Sequence, residues 1–181
     1  MIRLFVAIDL PQPVCDRLAG MGGGVPNARW VPPENMHLTL RFVGEVENGL
    51  AQDIDTALTK LHAPGFDIEL DGIGFFGKAS AARVLWAGVR RSEPLLRLQT
   101  KVEAALWDAG VPAEERKFSP HVTLARMRRA PAGRLQHFVA DHAAFLSGPI
   151  PVDHITLYSS FRSASGPVYQ AEAEYPLDPP G

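Results

Sequence analysis

The alternation of apolar and polar residues divides the chain into short strands and amphipathic helices. Residues 2–9 form an apolar run broken by Arg3 and closed by Asp9, which predicts a strand. Residues 11–18 predict a short helix with its prolines in the opening turn, and residues 21–26, with three consecutive glycines, predict a loop. Residues 36–43, which alternate as far as Phe42, predict a second strand. Leu50, Ile54, Leu58 and Leu61 then recur at helical spacing. Further strands are expected at 66–70 and 84–89, followed by a helix in which Leu95, Leu98, Val102, Ala105 and Leu106 share a face and Gly110 marks the end. A strand at 121–126, a helix at 133–143 and a closing pair of strands at 152–159 and 168–173 complete the reading. The two halves repeat one order: a strand carrying His-apolar-Thr-apolar, then a helix, then strands. This predicts an α+β fold, bilobal, with two duplicated lobes of antiparallel sheet and outer helices around a central cleft, all in one domain spanning residues 1–181.

Composition narrows the setting. The chain has 181 residues, 46% of them hydrophobic and 21% charged, which is enough apolar material for a core and excludes disorder. A single cysteine, Cys15, supports neither an internal disulfide nor a thiolate zinc site, and it fits a reducing compartment. The apolar run at the start is too short for a signal-peptide core or a membrane span, so the expectation is a cytoplasmic protein that does not enter membranes. A formal charge of -2 weighs against coating long nucleic acid through counterion release. It leaves room for a local basic pocket that takes one phosphate.

Chemistry concentrates in His37-Leu38-Thr39-Leu40 and His121-Val122-Thr123-Leu124. Alternation along a strand sends each His and Thr to one face and the apolar pair to the core. Chance predicts roughly 0.04 such quartets in a chain of this composition, and the sequence contains three, the third being His154-Ile155-Thr156-Leu157. The pattern alone does not say which two face each other. Both His37 and His121 follow proline-containing turns, Pro32-Pro33-Glu34-Asn35 and Phe118-Ser119-Pro120, and both precede an arginine, Arg41 or Arg126. His154 instead lies inside a run that is already strand-like.

Two facing histidines suit in-line phosphoryl transfer, because imidazole serves near neutral pH as base on one side of phosphorus and as acid on the other. A hydroxyl two residues along each strand can donate to a non-bridging oxygen. No metal or other cofactor is expected: the histidines lack Cys or Asp at ligand spacing, and His137 and His142 are five residues apart rather than the four that align on a helix. Arg41 shares the parity of His37 and Thr39 and is a candidate phosphate-binding residue, the alternative being an exposed strand charge. Arg126 has the opposite parity to His121 and reaches a cleft phosphate only if the strand bulges or ends there.

The segments Arg3-Leu4-Phe5-Val6-Ala7-Ile8, Arg29-Trp30-Val31-Pro32-Pro33-Glu34-Asn35-Met36-His37-Leu38-Thr39-Leu40, Val84-Leu85-Trp86-Ala87-Gly88-Val89 and Phe118-Ser119-Pro120-His121-Val122-Thr123-Leu124-Ala125-Arg126 resemble the 2H phosphoesterase superfamily, and in particular its RNA 2',3'-cyclic phosphodiesterase branch, historically called 2'-5' RNA ligase. The resemblance implies metal-independent hydrolysis of RNA 2',3'-cyclic phosphate ends to 2'-phosphates. It implies His37 as proton donor to the departing 3' oxygen, His121 as the proton acceptor that activates water, and Thr39 and Thr123 as phosphate-binding hydroxyls. It also places His154 in the closing strand, outside the catalytic pair. One departure is Ala81-Ala82-Arg83, where many relatives carry a proline before the strand.

The expected partner is therefore RNA with a 2',3'-cyclic phosphate end, bound by a monomer with Arg126 and Arg41 as binding residues. Rival readings are 2'-5' ligation by the same residues in reverse, and a non-catalytic module that binds RNA ends or nucleotides. Gly72-Ile73-Gly74-Phe75-Phe76-Gly77 fits a dinucleotide fingerprint by letter, but a strand rather than a helix follows it. Arg126, Arg128, Arg129 and Arg134 form a basic cluster expected at a solvated turn. Phe5 is expected in the core, with base stacking in the cleft as the alternative.

Overall fold

The computed structural model describes residues 1–180. In chain order its elements are β1 (Ile2–Asp9), α1 (Gln12–Gly20), β2 (Ala28–Trp30), β3 (His37–Val46), α2 (Asn48–Thr59), β4 (Phe66–Phe75), β5 (Val84–Val89), α3 (Glu93–Ala109), β6 (His121–Met127), α4 (Ala132–Asp141), β7 (Leu146–Val152), β8 (His154–Ser163) and β9 (Gly166–Pro176). Short 3-10 turns at Pro33–Asn35 and Ala79–Ala81 lead into β3 and β5.

All the strands join one antiparallel sheet in the order β7-β4-β5-β6-β3-β1-β8-β9, with β2 also paired to β6. Its two halves meet at a seam where β3 and β6 pair only through Leu38 opposite Val122. Outward from the seam one lobe runs β3, β1, β8, β9 and the other β6, β5, β4, β7, so each quartet strand is innermost in its lobe. Helices cover the faces away from the histidines. Arg41 of β3 reaches Glu103 of α3, and the Tyr175 hydroxyl of β9 donates to Asp55 of α2 at 2.6 Å. In the other lobe, Arg17 of α1 lies 4.9 Å over the Phe145 ring, and Trp30 of β2 packs on Phe138 of α4.

Local sequence explains these elements. The Ser92 hydroxyl caps α3 by accepting from the Leu95 amide, Pro94 occupies the first turn, and Gly110 closes the helix at φ 106°, a left-handed conformation that glycine adopts without strain. Leu95, Leu98, Val102 and Leu106 of its inner face are all buried, worth roughly 1.5–3 kcal/mol each against exposure.

Three elements differ from expectation. β2 is three residues long and lies beyond the glycine loop, too short to leave a periodic signal. β7 contains Pro149 and Pro151, which argue against a central strand; it sits at the sheet edge, pairing only with β4, where a missing amide is tolerated. β4 runs on to Phe75 through a bulge after Leu70, so the glycine fingerprint belongs to a strand. Gly74 serves packing there: a Cβ would stand 2.5 Å from the Trp86 ring, which lies across it. Among the described residues, no helix is long and apolar enough to cross a membrane.

Candidate active site

With Leu38 opposite Val122 in an antiparallel pair, His37 stands beside Thr123 and Thr39 beside His121, all four on one face. Leu38 and Val122 are fully buried on the other. In such a ladder the two histidines are diagonal neighbours, about 7–8 Å apart at the backbone, a span that accepts a phosphate between them. The turns before each strand fix the rings. His121 Nδ1 lies 2.8 Å from the Ser119 carbonyl oxygen, and the Asn35 backbone, likewise two residues upstream, acts on the His37 ring in favour of its protonated form. A carbonyl only accepts, so Nδ1 of His121 carries the hydrogen and its Nε2 is left to exchange a proton.

One device reverses the parity of both arginines. Between Thr39 and Arg41 the β1–β3 register shifts: Ala7 pairs with Thr39 but Val6 with Arg41, so Arg41 turns to the opposite face from Thr39. The expectation that Arg41 lies with His37 and binds phosphate is thereby corrected. Arg41 is only 6% exposed, with Nε 2.8 Å from Glu103 Oε1 in an ion contact not aligned as a hydrogen bond, and it donates to the Pro112 carbonyl at 2.5 Å. In β6 the shift falls between Thr123, opposite Trp86, and Ala125, opposite Leu85. Arg126, opposite Val84, thus returns to the face of Thr123, exposed and directly across from the exposed Arg29 of β2. The third residue after each threonine, Phe42 in one lobe and Arg126 in the other, completes the cleft face.

His37 and His121 have unlike surroundings. His121 meets the edge of Phe76 at 5.1 Å. Around His37 stand Tyr158 at 4.5 Å, Tyr169 at 5.7 Å and Phe5 at 6.0 Å between ring centres. Phe5 is itself stacked on Tyr158 and 4% exposed, so it faces the site from beneath other rings. Burial lowers the His37 pKa below its ordinary value, against the pull of Asp9, its direct partner on β1, and of the Asn35 backbone. The Asp9 carboxylate accepts from His154 Nε2 and Thr156 Oγ1, each at 2.8 Å, and from the Tyr158 hydroxyl. Burial alone would raise its pKa; these three hydrogen bonds outweigh that and hold it below the usual carboxyl value. His154 is raised by its bonds to Asp153 and Asp9, which overcome its own desolvation. The third quartet is therefore on the site's face, one strand beyond Asp9.

Asp9, His154 and Glu174 place possible ligand atoms within 4.8 Å of one another. Both His154 nitrogens and both Asp9 oxygens are already engaged in the hydrogen bonds just described, so this cluster reads as a polar network. An open groove of about 520 Å³ between α2 and α3 is formed by those helices and the turn at residues 60–62, away from either quartet of the seam.

The family described as LigT like Phosphoesterase matches the sequence twice, over residues 8–86 and residues 89–169. This chain belongs to that family. The LigT-like match falls once on each half, with His37 in the first segment and His121 in the second, in step with the two lobes' inner strands. A relative from Aeropyrum pernix named RNA 2',3'-cyclic phosphodiesterase is 37% identical over 151 residues, covering 81% of this chain and 84% of its own. Another of that name from Thermotoga maritima is 33% identical over 178 residues, covering 93% and 92%. Among solved LigT structures, E. coli LigT complexed with 3'-AMP superposes with a TM-score of 0.76 at 27% identity, over 97% of this chain and 98% of that one.

Sequence reasoning missed Asp9, Arg29, Trp86 and Tyr158 as site neighbours. Asp9 carried a signal, since it shares the parity of Phe5 and Ala7 at the end of an apolar strand. Arg29 and Tyr158 carried none, because their places depend on which strands lie beside β6 and β1.

Proposed function

We propose that the protein hydrolyses RNA 2',3'-cyclic phosphate ends to 2'-phosphates, acting as a cytoplasmic monomer through a two-histidine acid–base mechanism without a metal. One observation carries the reading: the His37/Thr39 and His121/Thr123 pairs stand on one face at the seam, with His121 Nδ1 held by the Ser119 carbonyl and its Nε2 left for proton exchange. His121 Nε2 takes a proton from water as its oxygen bonds to phosphorus. The bond from phosphorus to the 3' oxygen breaks, and His37 gives that oxygen a proton, leaving a 3'-hydroxyl and a 2'-phosphate. Thr39 and Thr123 donate to the non-bridging oxygens as charge builds on them. Arg126, with Arg29 beside it, attracts the phosphate backbone of the RNA end. The names of the relatives support this substrate, and the 3'-AMP of the LigT structure supports a nucleotide-end site.

Turnover of an oligonucleotide ending in a 2',3'-cyclic phosphate tests the proposal. His37→Ala and His121→Ala each lower it by about a hundredfold or more while the fold survives, and excess chelator leaves the wild-type rate unchanged. Binding without turnover would favour a non-catalytic module. Loss of activity in chelator, restored by a divalent cation, would sink the metal-free mechanism. An arm with 5'-hydroxyl RNA reads the reverse 2'-5' ligation from product length.

A further inference from the structure

The two quartets are alike in sequence, and the sheet is close to two-fold symmetric about the Leu38–Val122 pair, so the fold's plan does not say which histidine should hold the proton. Their neighbouring strands differ. On β1 the residue opposite His37 is Asp9; on β5, the strand in the matching place, the residue opposite His121 is Gly88. Gly88 cannot be exchanged for an acid, since any Cβ there would stand 2.6 Å from the Asp71 carbonyl oxygen. A carboxylate is thus built in beside one imidazole and shut out beside the other.

Resting on the hydrolytic reading above, we propose that Asp9 is the positioning residue that favours the proton on His37 and so biases His37 to the role of acid and His121 to that of base. The third quartet serves this arrangement: His154, Thr156 and Tyr158, three alternate residues of β8, donate to the Asp9 carboxylate and fix its place in the row. His37 is faced by Asp9 from β1, by Tyr158 of β8 and Tyr169 of β9, and across the seam by Thr123 and His121 of β6. His154 lies beyond Asp9 and Glu174 beyond Thr156, so Asp9 is the one anion of that first ring of neighbours. Burial among the aromatic rings favours the neutral imidazole and holds the ring below its ordinary value, and Asp9 opposes that fall, a pull toward the protonated form that has no counterpart on β5 beside His121.

The test combines the titration of the His37 ring, followed by NMR of its C–H resonances, with the pH dependence of kcat/KM for the cyclic-phosphate oligonucleotide. In Asp9→Asn the His37 ring titrates at lower pH than in the wild type. The alkaline limb of the rate profile moves down with it, giving roughly a tenfold loss on the alkaline side, while the acidic limb stays in place. Asp9→Glu restores part of both shifts. Asp9→Ser, which removes the charge and leaves room for the β8 donors, provides the same reading if the asparagine variant does not fold. A purely structural role for Asp9 would lower the melting temperature without moving either pH readout, and that result overturns the proposal, as does movement of the acidic limb instead. If the wild type fails to turn over the oligonucleotide, the hydrolytic reading fails, and the His37 titration alone decides whether Asp9 favours the proton there.

Discussion

Valine in place of either cleft threonine separates the hydroxyl from the strand that carries it. Thr39 and Thr123 stand beside the opposite lobe's histidine, each partly exposed between two buried apolar neighbours, so the branched shape supports the sheet and the hydroxyl is what each adds to the cleft face. Thr39→Val and Thr123→Val therefore leave thermal unfolding nearly unchanged and lower single-turnover hydrolysis by an amount equal to roughly 2 to 4 kcal/mol of transition-state stabilisation. Unchanged rates in both would remove these hydroxyls from the mechanism. Arg41 illustrates the opposite case at this scale. Its charge, two residues from Thr39, belongs to the packing of α3 on β3 through Glu103.

Elements act here through single-residue irregularities. The extra residue in β3 and in β6, Leu40 and Leu124, keeps both leucines in the core while turning Phe42 and Arg126 toward the site. β8 contributes by pairing His154 with Asp9 of β1. A histidine whose pKa is raised by folding stabilises fully below its unfolded value and loses that contribution as pH rises through the folded value; a carboxyl whose pKa is lowered stabilises above its ordinary value and loses it as pH falls through the folded one. His154 is the first kind and Asp9 the second, so their pairing contributes most between the two. His154→Ala accordingly lowers the melting temperature most at about pH 5 to 6 and progressively less as the solution is made alkaline. Its turnover falls far less than that of His37→Ala. A melting-temperature difference that grows with pH would contradict the pairing.

At the scale of the molecule, neither half of the chain owns a lobe. β1 and β3 are joined in their sheet by β8 and β9 from the far end of the sequence, and β4 and β5 by β6 and β7. Each lobe thus closes only when both halves are present, and buried side chains run as one cluster through both. Urea unfolding followed by far-UV circular dichroism and by tryptophan fluorescence should give coincident single transitions, since Trp30 and Trp86 report one lobe and Trp107 of α3 the other. A fragment of residues 1–90 should lack a cooperative transition of its own. Separate transitions for the two signals, or a folded fragment, would mean that the lobes are independent.

The sequence by itself determined most elements and the chemistry they carry. Strand and helix periods are local properties, so β1, β5 and α3 could be read from neighbours a few residues away, and the alternation within each quartet assigned His and Thr to a common face. Tertiary structure decided what depends on partners distant in sequence. Which quartets meet follows from β3 and β6 pairing at the seam, while the third is carried to the far side of β1. Parity counted along one strand fails at Arg41 and Arg126, because a bulge exists only relative to a partner strand and leaves no mark in the strand's own period. The unequal surroundings of His37 and His121 are set in the same way. Asp9 and Gly88 are ordinary residues of their own strands, and only the pairing that brings each beside a histidine gives one a charge to balance and the other none.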